Sequence, residues 1–265
     1  MTSITRSMFS FATLLLALSA NACAVSGARS VQSGALDKTC EGGTIASVAD
    51  ATRFAGCTSV HGSLRVSSAE LEDLSALSGL RRVSGTLEIA GNSQLDDLAG
   101  LEQLQQVGSL SIHDNAELDD VAGLEQLRQA RAVVISDNPE LTSLRGLSGL
   151  TRVEQLVLEH NGLYQTAGMP SLKEVGQLVI VNNPRLNSLQ GLRSLMHARS
   201  VEIRKNPRLC ARGMLPALSH VDGDLTLSEN RGLSRPDVHQ LLGRIEHGAL
   251  PVVAEGVAQL DASLH

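Results

Sequence analysis

Asparagine recurs as Asn92, Asn115, Asn138, Asn161, Asn183, Asn206 and Asn230, at intervals of 23, 23, 23, 22, 23 and 24 residues. A fixed period of that length marks a solenoid: self-similar segments, each unable to bury its own apolar face, stack into one continuous core. Every Asn closes the same apolar frame. One copy runs Leu98, Leu101, Leu104, Val107, Leu110, Ile112, Asn115, Leu118. Others run Leu144, Leu147, Leu150, Val153, Leu156, Leu158, Asn161 and Leu189, Leu192, Leu195, Ala198, Val201, Ile203, Asn206, Leu209. An earlier copy without its Asn, Val60 to Val66, brings the count to eight rungs.

Spacing assigns a shape to each part of the rung. Leu110-x-Ile112 alternates, so both side chains fall on one face of a short strand. Leu98, Leu101 and Leu104 recur every three residues, which suits a tight 3₁₀-like return on the opposite side. Stacking at about 4.8 Å per rung pairs the strands in parallel and buries the Leu row. The Asn stands where the chain leaves the strand, and its amide can satisfy backbone groups exposed in that turn. All seven Asn are therefore expected to form a structural ladder. Pro139, Pro184 and Pro207 follow three of them (Asn138, Asn183 and Asn206) and reinforce the turn. The expected fold is mainly β: a right-handed parallel β-solenoid of leucine-rich-repeat type, about eight rungs of ~23 residues, with short helical caps at both ends.

The ends read differently. Arg6 precedes an apolar run from Met8 to Leu18 that is too short to span a bilayer, and Ala20-Asn21-Ala22-Cys23 follows. Residues 1–22 are therefore expected to be a signal peptide. Ala20-x-Ala22 fits ordinary signal-peptidase cleavage. A small residue followed directly by Cys also resembles the lipobox of bacterial lipoproteins, in which Cys23 becomes the acylated first residue. Residues 23–39, rich in Ser, Gly and Ala, read as a flexible tether. Export permits disulfides. Cys40 and Cys57 bracket a segment with helical spacing (Ile45, Val48, Ala49, Phe54), so pairing them would staple an N-terminal cap. If Cys23 carries lipid, Cys210 is left over and is expected to be a buried thiol. The solenoid is expected over 40–233. Residues 234–265 are read as a C-terminal cap and tail, with Val238, Leu241, Leu242 and Ile245 on one face of a helix that covers the last rung.

Three places could bind something. The strand positions between the inward residues are Arg65, Glu88, Ser111, Val134, Val157, Val179, Glu202 and Thr226. Val134, Val157 and Val179, with Val181 two residues on, form an aliphatic stripe in a polar column and a docking patch for a ligand, although Val also favours strands for its own sake. Tyr164 lies where the period shortens to 22 residues and the Leu at the rung start is lost, so a local loop would expose it. His113, Asp137 and His160 fall on adjacent rungs and could ligate a divalent metal, but Asp and His are also ordinary turn residues, and no metal or cofactor is expected. The net charge of −6 argues against nucleic acid or an anionic membrane surface as partner. Catalytic motifs are missing, and Glu88 and Glu202 are five rungs apart, far beyond the separation of paired catalytic carboxylates.

The frame L-x-x-L-x-L-x-x-N is the leucine-rich-repeat pattern, with the next Leu at N-x-x-L (Asn115 to Leu118, Asn138 to Leu141). Together with the opening Cys57-Thr58-Ser59-Val60-His61-Gly62-Ser63-Leu64-Arg65-Val66 and the closing Asn206-Pro207-Arg208-Leu209-Cys210, it resembles the receptor L-domain over roughly 40–233. Such domains form the ligand-binding solenoids of growth-factor receptors, and similar ones occur in bacterial surface lipoproteins. In the receptors the closing Cys pairs with a downstream partner; no Cys follows Cys210, so that bridge is not expected. The resemblance implies a non-catalytic recognition module that holds a protein or glycan ligand on its exposed sheet face and is tethered to the membrane by an N-terminal lipid. It would be exported, as an outer-membrane or cell-surface lipoprotein or else as a periplasmic or secreted protein. The alternatives are a passive structural envelope lipoprotein and, more remotely, a polysaccharide-active β-helix enzyme.

Overall fold

Alternation of apolar residues produces one long parallel sheet. The computed structural model describes residues 37–210, 214–247, 252–253 and 255–256. Residues 1–36, which hold the expected signal peptide, Cys23 and most of the expected tether, lie outside the described residues. The strands are β1 (Thr39–Ile45), β2 (Ser59–Val66), β3 (Arg82–Ala90), β4 (Gln106–His113), β5 (Ala132–Ser136), β6 (Arg152–Glu159), β7 (Glu174–Val181), β8 (His197–Arg204), β9 (His220–Val221), β10 (Leu225–Ser228), β11 (Glu246–His247) and β12 (Val252–Val253). They pair in parallel in chain order from β1 to β8, and then through β10 to β12, with β9 joining β8 to β11. The register carries each inward residue onto its equivalent, as in Leu110, Val133, Leu156, Leu178 and Val201. All five are at most 1% exposed. The molecule is thus a mainly β parallel solenoid of about eight turns.

The return side follows from the three-residue Leu spacing. Leu101 and Leu104 donate their backbone N–H to Leu98 and Leu101, and Leu147 and Leu150 repeat the pattern on Leu144 and Leu147. These i→i−3 bonds set the Leu row on one side, fully buried. The 3₁₀ turns Ser75–Leu77, Arg145–Leu147 and Gln190–Leu192 are the most regular instances. One rung breaks the row: Thr166 stands where Leu98, Val121, Leu144 and Leu189 stand elsewhere, and its buried hydroxyl has no hydrogen-bond partner among the described residues.

Asn92, Asn115, Asn138, Asn161, Asn183, Asn206 and Asn230 form an internal ladder, each at most 1% exposed. These polar side chains lie inside the core rather than at its margin, because each amide replaces the backbone partners that a turn would otherwise lack. The Asn115 Nδ2 donates to the Ile89 carbonyl at 3.0 Å, and its Oδ1 accepts from the Asn92 N–H at 3.1 Å. Asn138 repeats this on Ile112 and Asn115. Further along, Asn183 donates through Nδ2 to the Leu158 carbonyl at 2.9 Å and accepts from the Asn161 N–H at 3.0 Å. The ladder starts where Ser68 donates its N–H to Asn92 Oδ1. Its last member is Asn230, whose Nδ2 donates to the Ile203 carbonyl at 2.7 Å and whose Oδ1 accepts from the Asn206 N–H at 3.0 Å. To swing the amide inward, the residue before each of the last six Asn adopts the left-handed conformation: Asp114, Asp137, His160, Asn182, Lys205 and Glu229 have φ between 53° and 58°, and Gly91 has 68°. That conformation costs a non-glycine residue on the order of 1–2 kcal/mol and is least costly for short polar side chains.

The 22-residue rung starts on Thr166 in place of a Leu, while Leu163 keeps the Leu place after its Asn, fully buried, because the missing residue lies between Asn161 and Leu163. Gly162 spans the shortened turn, where a Cβ would lie 2.1 Å from the Pro139 carbonyl oxygen. Cys210 is exposed rather than buried. It falls on the outward column formed by Asp119, Thr142, Tyr164 and Asn187, which neighbouring rungs join by backbone hydrogen bonds, and its Sγ lies 3.1 Å from the Asn187 carbonyl oxygen.

At the N-terminus Cys40 and Cys57 form the disulfide. The enclosed helix α1 (Val48–Arg53) is capped by Ser47, whose side chain accepts from the Asp50 N–H. Its buried face is Ala51, with Phe54 just beyond, while Val48 and Ala49 are exposed, because Ile45 belongs to β1 and the helix has only six residues. At the other end α2 (Arg235–Leu242) opens on a capping box of Ser234 and Asp237, and Val238 and Leu241 are buried. Ile245 lies past its end. The helix stands in the chain position of a return segment, and the tail goes on to pair β11 with β9 and β12 with β10.

Candidate ligand-binding face

Parallel register turns positions read from the sequence into columns on the sheet. Arg65, Glu88, Ser111, Val134, Val157, Val179, Glu202 and Thr226 are successive Cα partners. Val134, Val157 and Val179 are half-buried side by side. The charged residues beyond them are already paired. Glu88 binds Arg65 and the His113 Nε2, and Glu202 binds Arg204 at 2.6 Å. The result is an aliphatic stripe bounded by neutralised charges, a surface that sheds water at small electrostatic cost.

Val181 does not extend the stripe. It lies in the next outward column, but its side chain is only 2% exposed. Its register neighbours are Glu159 and Arg204, long side chains whose stems flank a short branched one at the strand end. Tyr164 is separated from the stripe as well. It stands on the far side of the Asn ladder, 47% exposed, with the Arg185 guanidinium 5.9 Å from its ring centroid and Arg185 in turn 3.9 Å from Glu140. That is a cation–π contact held in place by a carboxylate.

The His and Asp residues at the strand ends do not converge. His113 turns towards Asp114 at 2.7 Å and Glu88 at 3.1 Å, while His160 faces Asp137 at 3.5 Å and Glu159 at 3.6 Å. Among the described residues no group of three or more such side chains is placed to hold a metal ion. Asp137 and His160 occupy their positions because the turn needs left-handed residues there. Burial disfavours the His113 imidazolium, but the hydrogen bonds to Asp114 and Glu88 outweigh it and hold its pKa above the ordinary value. Past the Asn turn, carboxylates crowd: burial first, then the charges of Asp120, Asp96 and Asp97, push Asp119 upward.

A bend two residues before each inward pair escaped the sequence reading. Gly62, Gly85, Gly108, Gly176 and Gly223 occupy it on five rungs. That recurrence was visible in the sequence, but the polar hollows beside it arise only when the rungs stack.

Residues 56–162 match the family model of the receptor L domain, a ligand-binding rather than a catalytic family. No curated protein and no solved structure matches the chain. No helix of the described residues is long and apolar enough to cross a membrane.

Proposed function

We propose, from the receptor L domain match over residues 56–162, that this chain is an exported, envelope-anchored recognition module that holds a protein or glycan ligand on its sheet face. The observation that carries the reading is the row Val134, Val157 and Val179, half-buried and in register on three adjacent strands, with its flanking charges already satisfied. The paired Cys40 and Cys57 favour an oxidising compartment outside the cytoplasm. The apolar run from Met8 to Leu18 followed by Cys23 supports tethering through an N-terminal lipid.

The test is retention of envelope components by the purified protein beside a Val134→Asp, Val157→Asp variant. A Val134→Thr, Val157→Thr variant serves as the control that keeps β-branching. All three must first show the same melting. The expected result is a defined partner retained by the wild type and lost by the Asp variant. A partner retained equally by all three, or none by any, overturns the stripe as the recognition surface and leaves a structural envelope role.

A further inference from the structure

The bend before the inward pair carries Gly108, Arg131, Glu154, Gly176 and Arg199 on five consecutive rungs. Backbone fills the floor at its glycines. A Cβ on Gly108 would lie 2.6 Å from the Ser84 and Gly85 carbonyl oxygens, and one on Gly176 would lie 2.3 Å from that of Glu154. The facing wall is the column Gln106, Gln129, Arg152, Glu174 and His197, joined by strand pairing and a bridge between Gln106 and Gln129. Two hollows of about 460 and 390 Å³ open between these walls. They adjoin at Arg152, Val153 and Glu154 and so follow one another along the solenoid axis as a trough of two hollows.

The polar groups of the trough are unevenly satisfied. Arg152 pairs with Glu174 at 2.8 Å, and the His197 Nε2 with Asp222 at 2.9 Å. The Arg131, Arg199 and Glu154 side chains are exposed and find no partner among the described residues. With Arg152 paired to Glu174, the end nearer β4 keeps Arg128 and Arg131 against Glu154, an excess of one positive charge in a chain of net charge −6.

We propose that this trough binds an acidic oligosaccharide laid along the solenoid axis. Guanidinium, amide, carboxylate and imidazole groups offer forked hydrogen bonds that suit sugar hydroxyls, and free guanidiniums take a carboxylate in bidentate fashion. Rungs about 4.8 Å apart repeat these groups at an interval close to the length of one sugar ring. Arg131 and Arg199 stand three rungs apart, about 14 Å on that spacing, so two carboxylates of one chain reach both. A protein partner would call for large apolar anchors, and the walls offer none. The proposal gives the recognition reading a ligand class but uses a different surface from the Val stripe, so either can fail alone.

The test titrates the full-length protein in detergent with oligogalacturonate, with the uncharged cello-oligosaccharide of equal length, and with a poly-glutamate peptide, read by calorimetry. Saturable binding of oligogalacturonate is expected, weakened by salt, with the cello-oligosaccharide at least about tenfold weaker. The Arg131→Gln, Arg199→Gln variant should lose about tenfold in affinity at unchanged melting, whereas Val134→Asp, Val157→Asp should bind as the wild type does. The proposal falls if oligogalacturonate does not saturate, if Arg131→Gln, Arg199→Gln binds it equally well, or if poly-glutamate binds as tightly.

Discussion

Each Asn of the ladder satisfies a carbonyl and an N–H of the rung before it from inside the core, and this explains why the residue recurs from Asn92 through Asn183 to Asn230. Asn138 donates to the Ile112 and Ser136 carbonyls at 3.1 and 2.8 Å and accepts from the Asn115 N–H at 3.1 Å. Asn138→Ala strands a buried carbonyl and a buried N–H, each worth about 1–3 kcal/mol, so a loss of about 2–6 kcal/mol is expected. Chemical denaturation measures it, and a midpoint near wild type would mean that water replaces the amide. The Asn positions could be read from their period alone. The left-handed residue before each of them could not, because its conformation is dictated by where the amide must point. For the same reason Asp137 and His160, which the sequence offered as turn residues or weak metal candidates, stand in left-handed positions of the turn.

At the scale of elements, the two ends show how a solenoid protects its core. Six residues are too few for a helix to persist alone, so α1 depends on the Ser47 cap, the burial of Ala51 and Phe54, and the disulfide that closes its loop. Replacing Cys40 and Cys57 by Ser opens a link with a sequence separation of 17 and should cost about 2–4 kcal/mol by loop entropy. The checks are a lower melting temperature and earlier proteolysis at α1. If neither moves, Phe54 and Ala51 hold the cap without the crosslink. The spacing of Val238, Leu241 and Leu242 announced α2 from the sequence, and the structure adds the capping box that opens it. The two-residue strands β11 and β12 were beyond pattern reading, because their pairing rests on the edges of β9 and β10 rather than on any periodicity of their own.

Across the whole molecule, stacking gathers charges that lie 23 residues apart. Asp96, Asp97, Asp119 and Asp120 meet on adjacent turns, and Asp119 is raised above its ordinary value by burial and by its three neighbours. A raised carboxylate means that the folded state holds the proton more tightly than the unfolded chain. Stability therefore falls as pH climbs from about 4 through the folded value. Asp119→Asn removes that loss. It should melt above wild type at about pH 7 and level with it at about pH 3. A difference that persists at low pH would point to packing rather than charge. The sequence by itself determined the rung, its period, its inward residues and the Val column, because each is a matter of spacing along one chain. Only the tertiary structure decided which outward side chains stay in water. Val181 is covered and Cys210 is not, Tyr164 lies across the Asn ladder from the Val stripe, and Arg131 and Arg199 line a trough whose floor is backbone. Exposure depends on the neighbouring rungs above and below, and those neighbours come from elsewhere in the sequence.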